Sequence, residues 1–419
     1  MVINGVLGSA VYGLPSEISR LLGVWAPWAY VAAAAGTGAV MACFAEVGSQ
    51  FPQAGGPYLY TREAFGQFWG LLMGWLNWLV RLASAGANAN VFVAYLAEFF
   101  PMAGRGWMRA AVLTALVGVL AAINVRGVKL GANVISGFAV AKLVPLAVFI
   151  VAGLVLAHGP RPAGVTELFG AGAPAGGNWL SAILLLIFAY GGFEIGLFSM
   201  GEARDARRDV PFALFAALPV IFVTYTLIQV VSVRALGGAG GGRAPLAEAA
   251  RIFWGPAGAA VMSVGALISV YGNLSSSLLN GPRLTYALAE QGDFPAFFGV
   301  VGRRFRTPYV SIVIYAALVV ALSLAGSFRW NAVLAAVGRL FTYGIVCIGL
   351  LVLRRQRPRA DAFRIRWAPV WCGVGVLFLM AAGAQMNRGN WIALGAMTVV
   401  ALANWAWVRG RRPREGGTG

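Results

Sequence analysis

Residues 186–201 read LIFAYGGFEIGLFSMG and lie inside an apolar run that begins near Trp179. The adjacent glycines Gly191 and Gly192 weaken a helix there, and the carboxylate of Glu194 follows at once. A charge at the centre of a membrane helix costs a few kcal/mol even on the insertion scale. A broken helix and a buried acid at one place need a common chemical reason.

The chain around this stretch has 419 residues, of which 59% are hydrophobic and 11% charged, and its mean hydropathy of +0.76 lies outside the range of soluble domains. Twelve apolar runs are found near residues 1–21, 25–47, 69–99, 108–124, 133–157, 178–200, 211–234, 257–281, 308–326, 331–353, 367–386 and 390–408. A hydrocarbon core of ~30 Å needs ~20 apolar residues per helix, and these runs are continuous, unlike the ~10-residue alternation of barrel strands. They predict an all-α membrane protein with twelve transmembrane helices. No basic segment precedes the first run, so it is expected to remain as a span and not to be cleaved as a signal.

Basic residues outnumber acidic ones, 32 to 14, for a net charge of +18. They fall between apolar runs, which argues against nucleic acid as a partner. With a cytoplasmic N-terminus, twenty of them lie in the even-numbered loops and the tail, against nine on the other side. The positive-inside rule then predicts both termini in the cytoplasm and a place in the cell inner (plasma) membrane. Cys43, Cys347 and Cys372 sit in separate runs without paired or metal-like spacing, so neither a disulfide framework nor a zinc site is expected, and no cofactor is implied. There is no HExxH, no nucleophile with a His partner and no catalytic carboxylate pair, so an intramembrane enzyme is disfavoured. The Gly-rich segments GAGAPAGG (170–177) and GGAGGGR (237–243) read as flexible connectors.

A second helix-breaking cluster, GSAVYGLP (8–15), lies in the first span, five spans before GGFE. Paired broken helices at corresponding places in two halves point to a transporter site of the inverted-repeat kind. Unwinding frees backbone N–H and C=O groups, which lipid forbids and a buried polar ligand satisfies. Half-helix N-termini favour an anion and exposed carbonyls a cation, so a zwitterion fits both.

Together with GSAVYGLP, the segments FAEVGSQFPQAGGPYLYTREAFG (44–66), INVRGVKL (123–130), FAYGGFEIGLFSMGEARDARRDVPFAL (188–214) and RLTYALAEQGDFP (283–295) resemble the amino acid permeases of the amino acid, polyamine and organocation (APC) superfamily. The resemblance covers spans one to ten. It implies a leucine-transporter-like fold with a 5+5 inverted repeat and discontinuous helices one and six. Residues 1–353 would form the transport core, 354–408 two additional spans and 409–419 a cytoplasmic tail. The substrate would be an amino acid, moved by alternating access near the midplane between spans one, three, six and eight. The family's Gly-(Ser/Thr/Ala)-Gly carboxylate motif maps to Gly8, Ser9 and Ala10, with Ala10 departing from the pattern. The carbonyls that hold the amino group map to Val6, Phe188 and Gly191, and the Phe188 ring matches the gating aromatic. Seven residues precede Gly8, enough for a first half-helix of about 10 Å against the longer one usual in the family.

Lys142, in FAVAKLVPLAVF, lies about 14 Å into span five and is one of two lysines, with Lys129. Unlike arginine, a desolvated lysine can give up its proton. It resembles the family's fifth-span lysine, which takes the place of a sodium ion, and would couple transport to protons or stiffen the first span for exchange; the plainer reading is a lysine snorkelling to the interface. Glu194 is either a second protonation site or a structural acceptor for freed N–H groups. Arg81 lies about 18 Å into span three. It would pair with Glu194 or Glu46, select an acidic side chain, or be structural. Ser275, Ser276 and Ser277 match the family region beside the cation site. Arg339 lies near Phe341 and Tyr343 without an assigned role, and His158 is expected to be solvated. Net proton-coupled uptake, exchange without protons, and a transporter-like sensor stay open.

Overall fold

The computed structural model describes residues 5–51, 55–127, 132–157, 174–198, 205–238, 240–356 and 362–411. Lys129 and His158 lie outside the described residues. Among the described residues every extended element is an α-helix. The helices are α1 (Ser9–Leu22), α2 (Ala26–Ser49), α3 (Gly56–Phe65), α4 (Gln67–Leu96), α5 (Gly106–Val125), α6 (Ala132–Leu156) and α7 (Gly176–Tyr190). There follow α8 (Glu194–Phe198), α9 (Ala206–Leu236), α10 (Pro245–Glu290), α11 (Tyr309–Ala325), α12 (Phe328–Gln356), α13 (Ala368–Gly383) and α14 (Arg388–Arg411).

Within the described residues each of the twelve apolar runs is mostly helical, with the runs that begin at residues 1 and 178 interrupted at 7–8 and 191–193. Among the described residues seven helical stretches are long and apolar enough to cross a membrane, and four shorter apolar helices accompany them. The chain is therefore a multi-pass membrane protein. On α6 the exposed residues Val144, Val148, Val151 and Val155 recur at helical spacing along one face, the pattern of a side turned to lipid tails.

Two features were not anticipated. The loop after the second run contains α3, started by Gly56-Pro57, because proline at the first helical positions gives up a hydrogen bond that would be missing anyway. Helix α10 begins a dozen residues before its apolar run and turns at Gly255, where φ is 70°.

The stretch Ser9–Ser49, which holds α1 and α2, is the most buried at 78% of its most apolar window, α4 and α12 follow at 67%, and α5 and α14, at 22% and 17%, lie on the rim. Helix α7 packs on α1, α2 and α12, and α10 packs on α4 and α6. The end of the bundle where α2 and α12 terminate is latched twice. Glu46 accepts from Arg354 Nε and Nη2, both at 2.6 Å, and from the Ile365 N–H at 2.8 Å. Asp293 accepts from Tyr58 and from Gln67 Nε2 at 2.9 Å, with Arg62 at 3.5 Å. Burial and the Asp293 carboxylate push the Tyr58 hydroxyl up from its ordinary value, so it remains a donor.

Candidate functional site

Helix geometry before Ser9 is interrupted at Leu7 and Gly8. The Gly8 N–H turns back to the Val6 carbonyl at 2.8 Å, and no side chain caps α1 from the Gly8 position. The Ser9 N–H instead reaches Asn88 Oδ1 on α4 at 3.2 Å. The freed Leu7 carbonyl accepts from Asn273 Nδ2 at 3.3 Å and from Lys142 Nζ at 3.4 Å, and Lys142 also donates to Asn273 Oδ1 at 2.9 Å. Gly8 is required by this close approach, since a Cβ there would overlap Asn273 Nδ2. Lys142 is 2% exposed, so it does not snorkel. Ser9 Oγ is buried and, among the described residues, has no hydrogen-bond partner, while Ala10 is buried beside it.

The second interruption covers residues 191–193, between α7 and α8. Gly192 has φ of 103°, a left-handed conformation that side chains resist, and a Cβ there would overlap the Gly5 carbonyl, two residues before the first interruption. The second break thus meets, backbone to backbone, the short segment that leads into the first. Tyr225 on α9 ties them together: its hydroxyl lies 3.0 Å from the Val6 carbonyl and 3.2 Å from the Ala189 carbonyl.

Glu194 is 4% exposed and fully engaged. Its Oε2 accepts from the Gly192 N–H and from the Tyr343 hydroxyl, both at 2.8 Å, and its Oε1 accepts from Arg339 Nε at 3.2 Å. Arg339 also donates to the Phe188 carbonyl at 3.4 Å and lies 5.6 Å from the centroid of the Phe188 ring. Its guanidinium fills the space beside Gly191, where any side chain would collide with it. A cation is thus already seated at the carbonyl end of α7, where the helix dipole favours one.

Of the residues singled out from the sequence, Val6, Gly8, Ser9, Ala10, Phe188, Gly191, Lys142 and Glu194 converge here. The carbonyls of Val6 and Phe188 accept from Tyr225 and Arg339. Arg81 is half-buried on α4 within electrostatic reach of both Glu194 and Arg339, but the carboxylates considered for it carry other arginines, Arg339 on Glu194 and Arg354 on Glu46. Of the serines, Ser276 is exposed and accepts from Asn280, and Ser277 is one turn beyond Asn273, whose side chain meets Lys142.

Sequence reading missed Asn88, Asn273 and Tyr225 and left Arg339 unplaced. The available signal was an amide or phenol inside an apolar run, which such positions hold when something polar has to be met. The groove lined by Arg207, Arg208, Phe212, Phe215 and Phe363 is a separate feature. It lies at the start of α9, about 15–27 Å along the helix from Tyr225.

The amino acid permease family model matches residues 1–402. Over 77% of this chain and 74% of its own length, the serine/threonine exchanger SteT of Bacillus subtilis is 29% identical. An uncharacterized transporter of Mycobacterium tuberculosis is 30% identical over 85% of this chain and 81% of its own length. The human Asc-type amino acid transporter 1 is 24% identical over 91% of this chain and 78% of its own length. These relatives are transporters and not enzymes. The two neighbouring breaks and this match lead to one conclusion: the chain belongs to the amino acid permease family.

Proposed function

We propose that the protein is a secondary active amino acid transporter of the cell inner membrane, working by alternating access, with substrate bound at the two breaks between spans one, three, six and eight. Twelve membrane spans, a 5+5 inverted repeat over residues 1–353, two further spans over 354–408 and cytoplasmic termini belong to the same reading. The observation that carries it is the closeness of the two breaks, with Gly192 of the second against the Gly5 carbonyl just before the first and Tyr225 bridging Val6 and Ala189 at their edges. Lipid tolerates non-helical backbone only where protein or a cavity covers it. The Ala10 N–H in the first turn of α1 and the buried Ser9 hydroxyl suit an α-carboxylate, beside the Ser9 N–H that Asn88 holds. The carbonyls that the family resemblance assigns to the ammonium are those of Val6, Phe188 and Gly191, of which Val6 accepts from the Gly8 N–H and from Tyr225, while Phe188 accepts from Arg339 and has a second lone pair to offer.

Lys142 is the coupling residue of this reading. Its ammonium holds the Leu7 carbonyl and Asn273 together, and losing its proton weakens both bonds by removing the charge that strengthens them. Protonation and the position of the first break are then linked. Glu194 stands at the second break as the acceptor that fixes Gly192, Tyr343 and Arg339.

The test is uptake of labelled amino acids by the purified protein in proteoliposomes, with an imposed pH gradient. Wild type should accumulate substrate in a gradient-dependent way, and Lys142→Ala should lose that dependence. Full pH-dependent uptake by Lys142→Ala would remove the coupling role, and binding without flux would make the protein a sensor. Exchange is the second reading, favoured by the similarity to a protein named as a serine/threonine exchanger. It requires that flux appear only when substrate is present on both sides.

A further inference from the structure

The groove at the start of α9 is a feature that the two breaks do not use. It encloses about 790 Å³, opens on one side and is lined by Arg207, Arg208, Phe212, Phe215 and Phe363. The apolar runs 211–234 and 367–386 begin at its two walls. That places it at the surface of the bilayer, where hydrocarbon gives way to headgroups.

The bundle holds both walls. Helices α9 and α13 pack on α2, where Gly38 meets Leu218 of α9 and Gly36 meets Phe378 of α13. The segment before α13 is tied to the Glu46 latch: the Ile365 N–H donates to Glu46 at 2.8 Å, and its carbonyl accepts from Arg354 at 2.9 Å. Phe363, two residues earlier, meets Phe215 across the groove with ring centroids 6.1 Å apart.

The α9 wall has layered chemistry. Arg208, Phe212, Phe215, Pro219 and Val223 fall on one face of the helix, and all are exposed. Over about 22 Å that face passes from a guanidinium through two aromatic rings to aliphatic groups. A phospholipid presents phosphate, glycerol and acyl chain in the same order. On the other flank Arg366 precedes the exposed Trp367 and Trp371, and the Trp371 indole donates to the Arg366 carbonyl at 3.1 Å. Such rings settle at the level of the headgroups. The acids at the start of α9 serve its own backbone: Asp205 Oδ1 accepts from the Arg207 N–H at 3.1 Å, and Asp209 Oδ2 from the Asp205 N–H at 3.2 Å. Arg208 and Arg366 are exposed and take part in no ion pair among the described residues.

We propose that this groove binds the headgroup of an anionic phospholipid, with the phosphate on Arg208 and an acyl chain along Phe212, Phe215 and Val223. The planar fork of arginine matches two phosphate oxygens, and a headgroup without an ammonium brings no second cation to Arg208. The bound lipid braces the foot of α9 against the segment that Glu46 and Arg354 hold. The same helix carries Tyr225, which bridges the Val6 and Ala189 carbonyls, so the lipid and the breaks act on one element.

The experiment uses the full-length protein and native mass spectrometry, with phosphatidylglycerol and phosphatidylcholine of the same acyl chains offered in competition. Phosphatidylglycerol should be retained in preference. Arg208→Gln should lower that preference about fivefold, the effect expected of one arginine at an anionic lipid surface, whereas Arg208→Lys should keep most of it. Arg304→Gln should leave it unchanged, since Arg304 is exposed on the loop of Asp293, at the same end of the bundle but outside the groove. Equal retention of the two lipids, or a preference unchanged in Arg208→Gln, would overturn the site. A loss as great in Arg304→Gln would also overturn it, as the mark of diffuse surface charge. Glycerol phosphate competing as well as the lipid would overturn the acyl-chain contact and with it a lipid as the ligand.

Discussion

The two breaks solve one problem by different chemistry. At the first, the orphaned Leu7 carbonyl is met by a lysine and an amide, Lys142 and Asn273, and the Ser9 N–H by a second amide, Asn88. At the second, an ion pair spans the gap: Arg339 holds the Phe188 carbonyl and Glu194, which in turn holds the Gly192 N–H. The first is a cation bonded to neutral groups, so its charge can come and go without leaving an opposite charge behind. In the second, neither partner can be removed without stranding the other. A switch is therefore better placed at the first break and a fixed pivot at the second.

Arg339→Ala puts the largest strain on this contrast. It leaves Glu194 buried with only Tyr343 and the Gly192 N–H, and the loss of one partner of a buried pair costs about 3–5 kcal/mol. A large fall in the midpoint of thermal unfolding in detergent is expected, and a midpoint at the wild-type value would show that the pair is not the pivot. Lys142→Met should cost less, about 1–3 kcal/mol, because it removes a charge outright and leaves Asn273 Oδ1 without its lysine donor, while the Leu7 carbonyl keeps Asn273 Nδ2. A greater loss in Lys142→Met than in Arg339→Ala would reverse the assignment of switch and pivot. Ser276→Ala should change stability by no more than about 0.5 kcal/mol, as expected of an exposed hydroxyl whose partner is Asn280 on its own helix. Impaired uptake in that variant would return the serines to the coupling region.

Much of the architecture was legible along the chain because lipid imposes it locally. A span must be continuous, apolar and about the right length, and these properties are written in consecutive residues. The breaks were legible in part: GGFE covers the unwound residues 191–193, whereas of GSAVYGLP only Gly8 is unwound and Gly13 and Pro15 lie inside α1. Helix α3 was not legible, because a short segment between spans is held by contacts such as Tyr58 with Asp293, more than two hundred residues away. The partners of the breaks escaped for a related reason. Asn88, Asn273 and Tyr225 are single polar residues in apolar runs, and nothing in their immediate neighbours says which face they occupy.

The cysteines make the same point. Their spacing suggested three isolated thiols, yet the fold brings the sulfurs of Cys43 and Cys372 to 3.6 Å, both as free thiols. Glu46 and Arg354 likewise lie 308 positions apart and form a two-pronged latch.

By itself, the sequence determined a membrane-spanning helical chain, the places where two helices are interrupted, and the presence of a few charges too costly to be incidental. Tertiary structure alone decided which charge answers which: Arg339 on Glu194, Arg354 on Glu46, Lys142 on the Leu7 carbonyl. The physical reason is range. Hydrophobic length and helix breaking act between neighbours in the chain, whereas a charge in a low-dielectric interior is governed by whatever the packing of other helices brings within a few ångströms.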